Sequence, residues 1–121
     1  MKILLVDDDV LLRDMYATKF TEAGHTVKTA ESGESALQVL SEESFDVALL
    51  DMVMPGMTGT ELLQKLCQQE GGGVAKCVVL SNQGEEEDIA EAKKHGAVGY
   101  IVKAEMIPSE VVAKVEELAA T

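Results

Sequence analysis

Residues 2–9 read KILLVDDD, a short apolar run that ends directly in three aspartates. An apolar run without polar alternation indicates a β-strand that is covered on both faces, as in a parallel sheet. The acidic triplet excludes a signal peptide, and no apolar run in the chain approaches the roughly 18 residues of a membrane span. We therefore expect a cytoplasmic protein whose first strand is buried and carries carboxylates at its carboxyl end.

Short β-branched runs and longer amphipathic segments alternate along the rest of the chain, which is typical of βαβ units. Right-handed crossovers between such units give an open parallel sheet with helices on both faces. At 121 residues the chain is predicted to be one doubly wound α/β domain over 1–121. The predicted strands are 2–7, 26–30, 46–50, 76–81 and 98–102, and the predicted helices are 9–23, 33–41, 59–69, 85–95 and 108–119.

The first helix illustrates the signals on which these predictions depend. Asp9 is a candidate N-cap and Gly24 a candidate stop. Apolar residues between them recur at the three- and four-residue spacing of one helix face. The predicted core stripe consists of Leu12, Met15, Tyr16 and Phe20.

Composition narrows the class of function. Twenty-two acidic residues against 10 lysines and arginines give a formal charge of −12. Direct nucleic-acid binding is not expected, because it requires clustered basic residues. A chain with this negative charge is better suited to bind a cation or a basic surface of a partner protein. Cys67 and Cys77 are too few for a disulfide framework and are expected to be small core residues.

Reactive side chains follow four of the five predicted strands: Asp7, Asp8, Asp51, Ser81 and Lys103. Ligands bind at the carboxyl ends of the strands in such sheets. If the first and third strands are neighbours, each pair of carboxylates about 5 Å apart repels by about 3 kcal/mol at an effective dielectric constant near 20. A hard divalent cation is expected to resolve this repulsion, and we predict Mg²⁺.

This grouping suits phosphoryl transfer. One carboxylate can attack phosphorus while the cation and the Lys103 ammonium neutralise the transferring group. The Ser81 hydroxyl could hydrogen-bond a phosphoryl oxygen. The residues alone leave open which carboxylate is the nucleophile.

Four segments resemble the receiver domains of two-component response regulators, especially the chemotaxis-type single-domain members. They are LLVDDD at 4–9, LLDMVMPGMTG at 49–59, VVLSN at 78–82 and GYIVK at 99–103. The resemblance covers the whole chain and implies the flavodoxin-like strand order 2-1-3-4-5.

The resemblance also implies a role for each site residue. Asp51 would accept a phosphoryl group from a sensor histidine kinase or a phosphotransfer protein. Asp7, Asp8 and the Val53 carbonyl would hold Mg²⁺ together with Asp51, and Lys103 would contact the phosphoryl group. Ser81 and Tyr100 would form a switch that alters the surface of the fourth helix, fifth strand and fifth helix. That surface would control a downstream protein or a detached output domain, and the chain would catalyse only its own phosphorylation and dephosphorylation.

One position departs from the family pattern. The residue after the lysine is usually a proline in a cis peptide, whereas Lys103 is followed by Ala104. A cis bond before a residue other than proline costs about 3 kcal/mol. We expect the fold to impose a cis bond here nonetheless.

Three other functions are considered. A haloacid-dehalogenase-like phosphatase would use Asp7 as its nucleophile, but it needs further metal-binding acids after a later strand. A flavodoxin-like electron carrier would need a phosphate-binding loop where the aspartates stand. A pseudo-receiver, an interaction module that never takes phosphate, would lack one of the site residues, yet none is missing.

Overall fold

The computed structural model describes residues 1–51, 59–67, 74–82 and 86–120. Within these ranges, strands and helices alternate as predicted, with ends that differ from the predicted ones by up to two residues. The elements are β1 Lys2–Val6, α1 Val10–Glu22, β2 Thr26–Ala30, α2 Gly33–Leu40, β3 Phe45–Leu50, α3 Gly59–Cys67, β4 Val74–Ser81, α4 Glu86–Lys94, β5 Ala97–Val102 and α5 Pro108–Ala119. Every helix among the described residues is too short or too polar to span a bilayer.

The strands form one parallel sheet in the order β2-β1-β3-β4-β5, so the predicted fold is confirmed. The chain first steps from β1 outward to β2 and then returns to place β3 on the other side of β1. The strand order therefore reverses between β1 and β3, and a crevice opens there at the carboxyl edge of the sheet.

Side chains of alternating residues supply two separate apolar layers, one on each face of the sheet. Leu4, Val6 and Leu50 belong to the layer under α2, α3 and α4. Ile3 and Leu5 belong to the layer under α1 and α5. Because both faces of the central strands are covered, their sequences are apolar without interruption.

Helix α1 begins where the sequence predicts, but its core stripe is shorter. The Asp9 side chain accepts hydrogen bonds from the backbone N–H groups of Leu11 and Leu12. Tyr16 and Phe20 are buried as predicted. The prediction that Met15 is a core residue is wrong, because its position on the helix leaves it 36% exposed.

Cys77 lies in the apolar layer under α2, α3 and α4, as expected of a core residue. It is also disulfide-bonded, which the sequence analysis did not predict.

Gly99 allows α5 to pack closely against β5. A Cβ atom built on Gly99 would lie 2.4 Å from Leu118 Cδ1. Real side chains do not tolerate that separation, so Leu118 packs over β5 only because residue 99 has no side chain.

We expect Gly99→Ala to lower the free energy of unfolding by about 1 kcal/mol, because Leu118 must move away from β5. Chemical denaturation measures the effect. In a Leu118→Ala background the same change should cost less, since the obstructing methyl group is gone. An equal cost in both backgrounds would contradict this account.

Candidate functional site

Asp7 and Asp51 leave the sheet at the same level because β1 and β3 are paired in register. Val6 is aligned with Leu50, so an aspartate follows each strand. The Asp51 N–H donates to the Val6 carbonyl at 3.1 Å, and the Asp7 N–H donates to the Ala30 carbonyl at 3.1 Å. These hydrogen bonds place both carboxylates in the crevice where the strand order reverses.

Asp8 completes an acidic cluster with these two residues. One carboxylate oxygen from each of Asp7, Asp8 and Asp51 lies within 4.8 Å of the other two. Asp7 is 1% exposed, whereas Asp8 is open to solvent. The expected closeness of the three carboxylates is therefore confirmed.

Lys103 brings a positive charge into this cluster from the far edge of the sheet. Its Nζ donates to Asp7 Oδ2 at 2.7 Å and lies 3.7 Å from Asp51 Oδ2. The Lys103 side chain is only 5% exposed. A buried ion pair of this kind is costly to break, because removing one partner leaves a buried charge without compensation.

The peptide bond between Lys103 and Ala104 is trans, so the expected cis bond is wrong. No cis peptide occurs in the described part of the chain. Without a proline at position 104, a cis bond would cost about 3 kcal/mol, and the fold does not impose it. The chain instead turns through a short 3₁₀ helix, Lys103–Glu105, and Lys103 still reaches the cluster.

Two further groups hold the backbone around the acidic cluster, and neither was predicted to do so. The Asp9 N–H donates to Asp7 Oδ1 at 2.9 Å. The Arg13 guanidinium donates to the Asp7 carbonyl at 3.0 Å. Arg13 lies one helical turn after the N-cap Asp9, and this spacing was the only signal in the sequence for its role.

Ser81 and Tyr100 meet on the opposite side of the site. Ser81 is fully buried at the end of β4, and Tyr100 is half-buried on β5. Their side chains are hydrogen-bonded to each other. Burial raises the pKa of the Tyr100 phenol, and the hydrogen bond with Ser81 partly opposes that rise.

An open cavity of about 430 Å³ connects these groups at the carboxyl edge of the sheet. Its position agrees with the rule that ligands of such sheets bind beyond the strand ends. It is lined by Asp8, Asp9, Leu12, Asp51, Ser81, Asn82 and Lys103. Of the predicted site residues, Asp8, Asp51, Ser81 and Lys103 line this cavity, Asp7 contacts Lys103, Tyr100 lines a second cavity, and Val53 lies outside the described residues.

The donor atoms suit Mg²⁺. All three carboxylates offer oxygen, the ligand this hard cation prefers, and one oxygen of each lies within 4.8 Å of the other two. The cluster can therefore hold a metal ion, with water completing the shell.

Comparisons with known proteins agree with this geometry. Residues 3–116 match the family model described as the response regulator receiver domain. The two-component response regulator PhoP of Pseudomonas aeruginosa is 37% identical over 103 residues, which are 85% of this chain and 45% of the relative. The nitrate/nitrite response regulator protein NarL of Escherichia coli is 36% identical over 98% of this chain and 54% of the relative. The chain thus spans about half the length of these curated relatives.

Solved structures show the same fold. Chemotaxis response regulator CheY4 of Vibrio cholerae superimposes with a TM-score of 0.89 at 31% identity, covering 97% of each chain. A CheY-like receiver domain protein of Methanospirillum hungatei also gives 0.89, at 29% identity over 98% of this chain and 93% of the other. The chain belongs to the family of response regulator receiver domains, the signalling modules of two-component systems.

Proposed function

We propose that residues 1–121 form one phosphoacceptor domain, in which Asp51 receives a phosphoryl group from a sensor histidine kinase or a phosphotransfer protein. The observation that supports this most directly is the position of Asp51, which lies close to two further carboxylates and to the buried Lys103 ammonium. Kinship with receiver domains supports a cytoplasmic location and a role in a phosphorelay. Apart from its own phosphorylation and dephosphorylation, the chain has no proposed enzymatic activity.

The proposed transfer is a substitution at phosphorus. A carboxylate oxygen of Asp51 attacks the phosphorus, and the P–N bond of the donor phosphohistidine breaks. The electron pair of that bond returns to the imidazole nitrogen, and an acyl phosphate remains on Asp51. Mg²⁺, when bound by Asp7, Asp8 and Asp51, would neutralise charge on the transferring phosphoryl group.

The surroundings of the three carboxylates favour Asp51 as the acceptor over Asp7. Asp7 Oδ1 accepts from the Asp9 N–H, and Asp7 Oδ2 accepts from Lys103. Asp51 lines the open cavity, where a donor can reach it. The same contacts argue against the phosphatase alternative, which requires Asp7 to be the nucleophile.

Ser81 and Tyr100 supply the proposed switch. An acyl phosphate on Asp51 adds negative charge and acceptor oxygens beside Ser81. If the Ser81 hydroxyl turned toward those oxygens, it would give up its hydrogen bond with Tyr100. Tyr100 in turn lines a second cavity with Ile89, Lys93, Val98, Gly99, Lys114 and Leu118, on the surface formed by α4, β5 and α5. We propose that this surface binds a downstream protein or an output domain.

The donor protein must approach Asp51 from the carboxyl edge of the sheet, and exposed apolar side chains lie at that edge. Leu11 is 81% exposed in the first turn of α1, and Met15 lies one turn further on the same face. Ile107, the N-cap residue of α5, is 62% exposed. We call Leu11, Met15 and Ile107 the entry rim and propose that it contacts the phosphohistidine-bearing partner.

Incubation with acetyl phosphate and Mg²⁺ should add the mass of one phosphoryl group to the unchanged chain and none to Asp51→Asn. Intact-mass spectrometry measures the adduct, and addition of a chelator should abolish it. An unmodified wild-type chain would favour the pseudo-receiver alternative, and an adduct that persisted in Asp51→Asn would place the acceptor elsewhere.

The double variant Leu11→Ala, Met15→Ala should slow phosphotransfer by about tenfold, the effect of losing about 1.4 kcal/mol of partner contact. The donor is a histidine kinase selected from a purified panel because it phosphorylates the unchanged chain. Reaction with acetyl phosphate should be unaffected, since a small donor does not touch the rim.

Val98→Ala is the matched control, because Val98 is also exposed but lies on β5 away from the entry rim. It should leave transfer from the kinase unchanged. Equal slowing by both variants, or slowing with acetyl phosphate as well, would count against the entry rim.

The link between Ser81 and Tyr100 can be measured from the Tyr100 phenol. Burial raises its pKa above the ordinary value of 10.0, and the Ser81 hydrogen bond lowers it. Ser81→Ala should therefore raise the pKa further, as seen by ultraviolet titration in a Tyr16→Phe background where one tyrosine remains. A lower or unchanged pKa would contradict the hydrogen bond.

The raised pKa of Tyr100 also determines whether stability should rise or fall with pH. Because the folded phenol binds its proton more tightly than the unfolded one, its contribution to stability is fully present below pH 10.0. The contribution is lost as the pH rises through the folded pKa. The free energy of unfolding should fall with pH in that range less steeply in Tyr100→Phe than in the unchanged chain.

A further inference from the structure

We propose that Cys67 and Cys77 are a redox-active pair, whose disulfide is opened by low-molecular-weight thiols and closed by low-molecular-weight disulfides such as oxidised glutathione. The pair would fasten the end of α3 to β4 in the oxidised protein and release it in the reduced protein. The residues of the acidic cluster take no part in this chemistry, so the inference goes beyond the proposed function.

The covalent state of Cys77 carries the first step. Cys77 is disulfide-bonded, and the sequence contains one other cysteine, Cys67. A disulfide within the chain therefore joins these two residues. Disulfides of cytoplasmic proteins are usually transient and either catalytic or redox-sensing, because cellular thiols reduce them. The cytoplasmic location proposed above thus favours a bond that opens and closes over a permanent one.

Helix α3 and strand β4 meet in the apolar layer that contains Cys77. Leu66, the residue before Cys67, is 4% exposed and belongs to the same layer. Cys77 is aligned with Ala48 of β3 and with Ala97 of β5, both of which have small side chains. A bond between residues 67 and 77 therefore connects the end of a helix that packs on this layer with a strand of the sheet below it.

The burial of Cys77 determines the order of the reaction. Because Cys77 is 1% exposed, an external thiolate cannot reach its sulfur and must attack Cys67 instead. The S–S bond breaks, and its electron pair leaves on the Cys77 sulfur, which takes up a proton. A second external thiolate displaces Cys67 from the mixed disulfide, so the two external thiols depart as one disulfide. The reverse sequence, with an external disulfide as the oxidant, closes the bond.

Both redox states are compatible with the fold. A reduced cysteine behaves as a small apolar residue, so Cys77 can stay in its layer. The disulfide closes a short loop, and a short loop constrains the unfolded chain less than a long one. Reduction should therefore weaken the protein without unfolding it, and the loss should be concentrated in α3.

Titration of the full chain with mixtures of reduced and oxidised glutathione tests the pair. Free thiols are blocked with iodoacetamide in denaturant, and intact-mass spectrometry counts the blocked groups. We expect both cysteines to be blocked in excess reduced glutathione, and neither to be blocked once oxidised glutathione is restored. A bond that resists millimolar reduced glutathione in the folded protein would be structural and would overturn the proposal. Free thiols at every ratio would overturn it as well.

Two single variants test the order of attack. With oxidised glutathione, Cys77→Ser should gain the mass of one glutathione at Cys67. Cys67→Ser should react at least about tenfold more slowly, because its remaining cysteine is buried. Equal labelling of the two variants, or faster labelling of Cys67→Ser, would contradict the proposed order.

Thermal unfolding and amide hydrogen exchange of the unchanged chain measure the effect on the fold. Reduction should lower the Tm by about 10 °C, as expected for a short loop in a domain of this size. Reductant should leave the Tm of the matched control Cys67→Ser unchanged. Exchange in α3 should become faster by about tenfold on reduction, while α1, on the other face of the sheet, should be unaffected. Equal acceleration in both helices would refute the fastening of α3.

Discussion

The ion pair between Asp7 and Lys103 connects parts of the sheet that are not neighbours. Asp7 follows β1 and Lys103 follows β5, with β3 and β4 between them. The pair is nearly inaccessible to water, so its charges compensate each other at close range. Crowded carboxylates at the ends of β1 and β3 would otherwise repel, and the Lys103 ammonium compensates the charge of the buried Asp7 carboxylate.

The sheet separates the site into two groups of residues: charged residues on one face and hydroxyl-bearing residues on the other. Asp7 and Asp51 continue the alternation of Leu5 and Leu49, which face α1 and α5. Tyr100 packs against the other apolar layer, and its partner Ser81 continues the alternation of Val79 in that layer. The charged groups therefore lie on one face of the sheet, and the hydroxyl groups of Ser81 and Tyr100 lie on the other. Ser81 connects the two sets because it lines the same cavity as Asp51. The proposed switch would use this arrangement to connect a change of charge at the end of β3 with the surface at β5, two strands away.

The two proposed binding surfaces lie near different parts of the site. The entry rim lies at the first turns of α1 and α5, near the mouth of the acidic cavity. The second cavity lies on the surface of α4, β5 and α5, with Lys93 and Lys114 at its lining in a chain of charge −12. The two surfaces consist of different residues, although both include part of α5, so the proposed donor and the proposed target would contact different side chains.

The sequence alone determined the alternation of elements, the sheet with both faces covered and the residues at the strand ends, because these follow from local apolar periodicity and from capping signals. Tertiary structure decided what depends on distance: the partner of Lys103, the role of Arg13 and the exposure of Met15. The expected cis bond at Ala104 is absent because a cis bond without proline costs about 3 kcal/mol, and only the folded chain shows that Lys103 reaches Asp7 with a trans bond. Local patterns specify which residues reach the edge of the sheet, but only the packed fold fixes which of their atoms meet.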